Sequence, residues 1–332
     1  MGVLRNKMTF QSYYLVYFVL TIFARRSIWR YHLRIVNPYV KYSYDRMLFE
    51  MQQLAVFEQA EIISIGKSRF GREIPVFRLD NGEKKLLIVG THHGREYISA
   101  AFIMRSVEDL VFDRVKPFVT REMLSEFSLY FIPMLNPDGA EIAIRGEDCS
   151  GFEKIASMKR VEEPLYTWKA NGAGVDLNRH YPCLFEEKYS DILEPASEGF
   201  KGEMPGTEPE VMALMSLCEK EDFASSLTFH AKGEEIYWAD SNSREVDMAA
   251  YPLAKRFAEE SGYRLMPPSN VKSVYGAGFE NWFRAHFHKP CILIELSPYI
   301  GGSKPHDMQF FDMLVWQYAK NMIPAYIELE MP

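Results

Sequence analysis

Polar side chains that could bind a cation or move a proton lie within or directly after short apolar runs of this sequence. The stretch "LLIVGTHHGREYIS", residues 86–99, is one example. The candidate residues are His93, Glu96, Asn136, Asp138, His230 and Glu295. Because open α/β sheets bind their ligands at the carboxyl ends of the strands, we expect these side chains to meet at one edge of a sheet.

A divalent metal ion is one explanation for two histidines and a carboxylate in such a place. Zinc takes imidazole nitrogens and carboxylate oxygens, and a catalytic zinc site uses three protein ligands and leaves one position for water. His93 and Glu96 are three residues apart on a tight turn, and His230 could complete the set. The same spacing also occurs in surface ion pairs and at capped helix starts, so alone it leaves both interpretations open.

The apolar runs alternate with stretches of helical periodicity. "KKLLIVG", "LYFIPML", "SSLTFHA" and "CILIELS" are typical of strands covered on both faces, and a hairpin is predicted around Gly71. Helical spacing is found over residues 42–59 and in "SAAFIMRSVEDLVF", "EPEVMALMSLCEKED" and "MAAYPLAKRFAEES". The pattern predicts the α/β class, as a three-layer αβα sandwich with a central mixed, largely parallel sheet. Residues 145–205 lack periodicity, which predicts a long functional surface loop.

The composition is that of a globular protein, and it does not favour a nucleic-acid partner. The 332 residues are 47% hydrophobic, the formal net charge is −7, and no long basic tract is present. A small or cationic partner fits this charge balance better. The four cysteines have no CxxC spacing, so they are expected to be reduced thiols, although one pair could bridge.

Five motifs resemble, in order, those of the zinc carboxypeptidase family, the carboxypeptidase A-like metallopeptidases. They are "GTHHGREYIS", "NPDG", "GVDLNR", "FHAKGEEIYW" and "ILIELSP". The wording of "WKANGAGVDLNR" and "HAKGEEIYW" is most similar to the bacterial branch that cleaves γ-D-glutamyl-diaminopimelate bonds in peptidoglycan peptides. The resemblance implies a zinc carboxypeptidase-like catalytic domain over residues 38–332.

The same resemblance implies one Zn²⁺ per chain, held by His93, Glu96 and His230. It makes Glu295 the general base that takes a proton from the attacking water and returns it to the leaving amine. Asp176 matches the family's carboxylate that orients the imidazole of the first metal histidine.

Substrate contacts are also implied by the resemblance. Asn178 and Arg179 match the pair that grips a terminal carboxylate, since an arginine fork meets a carboxylate with two parallel hydrogen bonds. Many relatives place an arginine shortly before "GVDLNR" to polarise the scissile carbonyl. This chain has Lys169 there, in "WKAN", and Arg145 is the alternative for that role.

Two further residues carry open alternatives. Tyr275 is near the place of the family's substrate-capping tyrosine but lies closer to Trp282 than in the animal carboxypeptidases, so it is either a catalytic or binding residue or a loop aromatic. Glu280 falls where the family sets the base of its specificity pocket. An acid there would pair with a lysine or with the distal ammonium of diaminopimelate; the alternative is an exposed glutamate at a helix start.

The leading hypothesis is a zinc peptidase that hydrolyses an amide bond next to a free carboxylate, in particular the γ-D-glutamyl-meso-diaminopimelate bond of peptidoglycan peptides. The alternatives are a carboxypeptidase that releases a C-terminal, basic residue, a non-catalytic peptide-binding module, and a zinc amidohydrolase of N-acyl amino acids. Loss of a metal ligand or of the base would indicate the binding module, and none is lost.

The N-terminus, residues 1–37, is expected to be an apolar extension or membrane-associated segment. Residues 8–24, "MTFQSYYLVYFVLTIFA", carry no charge, which fits a membrane anchor or interfacial helix, a signal peptide, or a segment packed on the domain. Arginines follow the run at positions 25, 26, 30 and 34. Positive charge on that side opposes export, so a membrane-associated or cytoplasmic location is favoured over secretion.

Overall fold

The computed structural model describes residues 34–57, 60–115, 118–156, 158 and 164–331. The uncharged run of residues 8–24, with the membrane segment predicted for it, lies outside the described residues. Within the described ranges, none of the helices is both long enough and apolar enough to cross a bilayer. Residues 34–37 lie on the domain rather than apart from it, because Arg34 pairs with Asp109 at 2.5 Å and Val36 is buried.

The centre of the fold is a mixed sheet of eight strands. Their bounds are β1 Ala60–Lys67, β2 Glu73–Leu79, β3 Lys84–Gly90, β4 Phe127–Ile132, β5 Ser225–Ala231, β6 Glu235–Tyr237, β7 Arg264–Leu265 and β8 Cys291–Leu296. The order across the sheet is β1-β2-β4-β3-β5-β8-β6-β7. The four inner strands β4, β3, β5 and β8 are mutually parallel, while β1, β2 and β6 pair in antiparallel fashion with their neighbours towards the centre. The predicted hairpin is therefore formed by β1 and β2.

Helices cover both faces of this sheet. Their bounds are α1 Tyr44–Leu54, α2 Ile98–Val111, α3 Arg121–Ser125, α4 Pro137–Arg145, α5 Phe152–Ile155, α6 Pro209–Glu221, α7 Asp247–Ser261, α8 Lys272–Tyr275, α9 Phe279–Phe287, α10 Gln317–Ala319 and α11 Met322–Leu329. Helices α1, α2, α7 and α11 share one apolar cluster, whereas α6 and α9 share the other. The predicted three-layer αβα sandwich is confirmed.

Burial on both faces explains why the inner strands are continuous apolar runs. In β3, Leu86 and Ile88 point into the first cluster, and Leu87 and Val89 point into the second. A strand that is solvated on one face would alternate apolar and polar residues, but these strands have no solvated face. All four cysteines are buried, with free thiols.

The long segment between α4 and α6 contributes no strand to the sheet in its described part. It contains the short helix α5 and several single helical turns, one of them Leu177–Arg179. It is less of a surface loop than predicted, because Trp168, Leu177 and Tyr181 are fully buried. Its backbone is bonded to the loop after β3, since Gly94 N donates to Lys169 O at 2.9 Å. The segment is thereby held over the carboxyl ends of the strands.

Glu210 is a fully buried carboxyl group that joins this segment to the hairpin. It accepts hydrogen bonds from Arg69 N at 2.9 Å and from Asn171 Nδ2 at 3.1 Å. Burial outweighs these bonds and raises the pKa of Glu210 to about 7. The folded protein therefore binds this proton more tightly than the unfolded chain does. The tighter binding stabilises the fold fully below pH 4.5, and this stabilisation is lost as the pH rises through 7.

Glu210→Gln is expected to remove this pH dependence. The free energy of unfolding of the variant, relative to that of the unchanged protein, should rise by roughly 3 kcal/mol between pH 4 and pH 8. Urea unfolding at several pH values measures the difference. Glu203→Gln, which changes an exposed carboxylate, is the control and should leave the pH slope as it is. Parallel curves for the Glu210 variant and the unchanged protein would show that this carboxyl titrates normally.

Candidate metal centre

The loop after β3 carries His93 and Glu96 on a single helical turn, Gly94–Glu96. This turn lies against the start of α4 so closely that a Cβ on Gly94 would come within 2.3 Å of the backbone of Gly139. No side chain fits into that space, which explains the glycine in each of the two motifs. The contact fixes the turn and directs both polar side chains into the space above the sheet.

The strands β5 and β8 bring up His230 and Glu295. These two residues are register partners on adjacent parallel strands, one near the end of each strand. Because paired residues of parallel strands point to the same face of the sheet, both side chains reach the space where His93 and Glu96 lie. The sheet register therefore joins residues that are far apart in the sequence.

Three side chains converge tightly enough to hold one metal ion: His93, Glu96 and His230. The His93 Nδ1 atom lies 2.9 Å from Glu96 Oε1 and 3.1 Å from His230 Nδ1, and the latter lies 3.1 Å from Glu96 Oε2. Tetrahedral zinc ligands bound at about 2.0–2.2 Å lie roughly 3.3 Å from one another, so the observed spacing suits this ion. His230 contributes its Nδ1 atom to this set. Its buried Nε2 atom has no hydrogen-bond partner within the described ranges.

Asp176 supports the first histidine from behind. Its Oδ1 lies 3.0 Å from His93 Nε2, so a proton on Nε2 leaves the lone pair of Nδ1 facing the other two ligands. Burial alone would raise the pKa of Asp176, but Lys169, His93 and Arg179 hold it well below its usual range. The pKa of Glu96 is also well below its usual value. Burial alone would raise this pKa, but the nearby His93 and His230 lower it by more. Both carboxylates are therefore ionised, as metal binding at this site requires.

His92 is excluded from the ligand set by its own hydrogen bonds. Its Nε2 lies 3.2 Å from the Tyr181 hydroxyl, and its Nδ1 lies 3.3 Å from Thr228 Oγ1. The ring stacks against that of His230, with centroids 5.2 Å apart and planes 19° apart. His92 thus packs beside a ligand and keeps its orientation.

Glu295 lies beside the three ligands with one oxygen free. Its Oε2 atom is buried and has no hydrogen-bond partner among the described residues. Burial and the nearby Glu96 carboxylate raise the pKa of Glu295 well above its usual value. A divalent cation at the neighbouring ligands would favour the ionised form, because an opposite charge within a few ångströms stabilises a carboxylate.

A second group lies on one side of these residues, at the turn Leu177–Arg179 and the start of α9. Asn178 Nδ2 donates to Glu280 Oε2 at 3.4 Å, and Asn178 Oδ1 accepts from Phe279 N at 2.9 Å. Arg179 Nε donates to Asp176 at 2.9 Å, and within the described ranges this is the only hydrogen bond of its guanidinium. Glu280 is at a helix start, as one alternative had it, but it is buried rather than exposed.

Lys169 and Arg145, the two candidates for one role, are placed very differently. The Lys169 ammonium lies 3.3 Å from Glu198 and 3.7 Å from Asp176, and Lys169 lines the same cavity as Glu295. Arg145 is at the end of α4, where its guanidinium pairs with Glu141 and with Asp45. The structure brings Lys169 to the site and does not bring Arg145 there, because α4 carries Arg145 away from the sheet edge.

Tyr275 is not one of the three converging side chains. It ends the short helix α8, and its hydroxyl lies 2.9 Å from Ser241 Oγ. Asn136 and Asp138, which also follow a strand, serve the loops instead. Asn136 caps α4 through Gly139 N at 2.9 Å, and Asp138 binds Arg72 at 2.6 Å.

Three charged residues near Glu295 were missed by the sequence analysis: Arg95, Glu198 and Lys232. Arg95 is next to Glu96 in "GTHHGREYIS", and Lys232 is two residues after His230 in "FHAKGEEIYW". Their closeness in sequence to candidate metal ligands could have indicated that they lie at the site. Glu198 had none, since it lies in the aperiodic segment. It reaches the site by forming two bonds to Arg95, of 2.6 and 3.1 Å.

Comparison with known proteins agrees with this geometry. The profile of the Peptidase_M14 family, described as zinc carboxypeptidase, matches residues 50–324. Gamma-D-glutamyl-L-diamino acid endopeptidase 1 of Lysinibacillus sphaericus is 27% identical over 305 residues, covering 89% of this chain and 74% of that protein. The uncharacterized protein YqgT of Bacillus subtilis strain 168 is 31% identical over 269 residues, which cover 77% of this chain and 69% of YqgT.

A solved structure shows the same fold at lower sequence identity. Carboxypeptidase A from Helicoverpa armigera aligns with a TM-score of 0.65 and 17% identity, over 96% of this chain and 80% of that one. Since the family profile spans the central sheet and all three converging ligands, the chain belongs to the zinc carboxypeptidase family and is a zinc-dependent peptidase of the metallocarboxypeptidase type.

Proposed function

We propose that this zinc peptidase hydrolyses the γ-D-glutamyl-meso-diaminopimelate bond of peptidoglycan peptides. The products are a peptide that ends in the γ-carboxylate of D-glutamate and a free amine on diaminopimelate. The name of the relative from Lysinibacillus sphaericus, a γ-D-glutamyl-L-diamino acid endopeptidase, supports this substrate class.

The observation that carries the proposal is the side of the cleft formed by Asn178, Arg179 and Glu280. Here the two Nη groups of Arg179 make no hydrogen bond within the described ranges. The buried carboxylate of Glu280 lies 3.4 Å from the side chain of the neighbouring Asn178. meso-Diaminopimelate carries a carboxylate beside the scissile nitrogen and an ammonium at its far end. Arg179 suits the first group and Glu280 the second.

The proposed roles of the other residues follow from their positions. His93, Glu96 and His230 hold the zinc ion, which would lower the pKa of a water molecule to about 7 and polarise the scissile carbonyl. Glu295 takes the proton of the attacking water and returns it to the leaving amine. Lys169 adds a positive charge where negative charge develops on the carbonyl oxygen, as a point charge rather than as a fork.

The test compares two substrates with the zinc-loaded protein. L-alanyl-γ-D-glutamyl-meso-diaminopimelate is expected to release diaminopimelate with a kcat/KM at least roughly 100-fold above that for release of lysine from hippuryl-lysine. Both leaving residues offer a carboxylate and an ammonium to Arg179 and Glu280, so the difference is expected to come from the γ-linked D-glutamyl acyl group, which only the first substrate has. Chromatography of the free amino acids measures both reactions. Activity confined to hippuryl-lysine would instead identify a carboxypeptidase for C-terminal basic residues.

A pair of variants checks the contribution of Glu280. Glu280→Lys places a like charge beside the distal ammonium. The kcat/KM for cleavage of the tripeptide should therefore fall by at least roughly 100-fold. Glu186→Lys makes the same change at an exposed position and should leave the rate unchanged. Equal rates for the two variants would remove Glu280 from the binding site.

A further inference from the structure

A cavity of about 250 Å³ borders Glu96, one of the candidate metal ligands. Its charged lining consists of the carboxylates Glu96, Glu198 and Glu295 and of three cationic side chains, which are Arg95, Lys169 and Lys232. Asn178, Arg179 and Glu280 are not among its lining residues. If the leaving amine is bound by that second group, the acyl part of the substrate has to lie in this cavity.

Lys232 is positioned firmly, but its charge is not neutralised. Its ammonium donates to three backbone carbonyls of one loop, those of Ile300 at 2.7 Å, Gly302 at 3.0 Å and Lys304 at 2.5 Å. Within the described ranges, no carboxylate lies at ion-pair distance from it. Carbonyl dipoles hold an ammonium in place without cancelling its charge, so the positive field extends into the cavity.

The other two cations share carboxylates of the protein. Glu198 makes two bonds to Arg95 and lies 3.3 Å from Lys169, which also approaches Asp176 at 3.7 Å. Arg95 and Lys169 therefore each have a carboxylate partner, although Asp176 also pairs with Arg179, whereas Lys232 has none within the described ranges. A half-buried unpaired charge that is fixed beside a substrate cleft is a recognition element for an anion.

The proposed substrate has an anion on this side. In a γ-linked D-glutamyl residue, the α-carboxylate is separated from the scissile carbonyl carbon by a chain of three further carbons, a reach of roughly 5 Å. An α-linked peptide bears a neutral amide at the atom next to the scissile carbonyl instead. We propose that Lys232, with Arg95 beside it, attracts the free α-carboxylate of the γ-linked D-glutamyl residue through its charge, since its three N–H groups already donate to backbone carbonyls, an inference that rests on the proposed function. Lys232 is therefore a specificity residue for γ-linked over α-linked acyl groups.

The test uses two tripeptides that differ only in this carboxylate. One is L-alanyl-γ-D-glutamyl-meso-diaminopimelate, and in the other the α-carboxylate of the glutamyl residue is amidated. The zinc-loaded protein is expected to cleave the amidated tripeptide with a kcat/KM lower by about 10- to 100-fold, the usual effect of losing a contact between charged groups. In Lys232→Met the acid should lose the same factor and the amide should change little, so that the two rates become similar.

Two more variants separate recognition from damage to the loop. Lys232→Arg keeps the charge and should keep most of the preference for the acid. Lys304→Met removes an exposed lysine of the same loop while its carbonyl remains, and the preference should be unchanged. Equal cleavage of both tripeptides by the unchanged protein, or an equal loss on both in Lys232→Met, would overturn the role of Lys232 while leaving the proposed function intact. Failure to cleave either tripeptide would instead remove the proposed function.

Discussion

Glu295→Gln is expected to lower kcat by about 10³-fold while the protein keeps its full content of zinc. Glutamine has nearly the shape of glutamate but cannot accept a proton from water at neutral pH. Glu295 is outside the set of three converging ligands, and one of its buried oxygens has no partner in the described part of the chain. The amide therefore fits into the same space without disturbing His93, Glu96 or His230.

The measurements are the rate of peptide hydrolysis at saturating substrate and the zinc content by atomic absorption. Glu219→Gln is the control, since it makes the same chemical change on the exposed side of α6 and should have normal turnover. If Glu295→Gln turned over at the normal rate with zinc bound, another group would have to be the base. If it lost zinc, Glu295 would be a ligand rather than a base.

His230→Ala is expected to weaken zinc binding by at least about 100-fold, which exceeds the usual effect of losing a residue that only supports a ligand. His230 Nδ1 lies 3.1 Å from both of the other ligands, so its removal leaves two of the three ligands and opens one side of the site. Hydrolysis should fall to the background rate, because no protein group present can replace the Lewis acid.

Equilibrium dialysis against buffered zinc measures this affinity directly, without reference to activity. His288→Ala is a suitable control, because His288 is exposed and pairs only with Glu245 in the described ranges. One zinc ion bound per chain with unchanged affinity in His230→Ala would contradict the assignment of the ligands. Added zinc should restore part of the activity only if Glu96 and His93 still bind the ion.

The inner part of the sheet could be predicted from the sequence because burial on both faces leaves a local signal. The runs that became β3, β4, β5 and β8 were all recognised as strands, and the helices α2, α6 and α7 by their periodicity. The helix α9 was not predicted, because His286 and His288 in "RAHFHKP" alternate with other residues as on a strand. His286 lies inside α9, and His288 is in the left-handed conformation that ends it. A nine-residue helix with aromatic side chains leaves too short a pattern for its period to be read.

The metal-binding side chains could be predicted for a related reason. His93 and Glu96 are close in sequence, and His230 ends a clear strand. The neighbours of these residues depend on loop paths, which have no period. Nothing in the sequence separated Lys169 from Arg145, because only the direction of α4 decides which of them reaches the cleft. The bonds from Lys232 to the loop of residues 300–304 likewise exist only in three dimensions.

The pairing of His230 with Glu295 across β5 and β8 ties the chemistry to the interior of the protein. A shift of β8 by one residue would turn Glu295 to the opposite face of the sheet. A molecule with this misaligned strand is therefore expected to be inactive rather than weakly active. Because the central strands are typically among the last parts of a domain to open, the spacing of this pair is expected to outlast local opening of the surrounding loops. Heat should therefore abolish turnover in one step together with the melting of the sheet, while mild denaturant that loosens only the loops should weaken substrate affinity first.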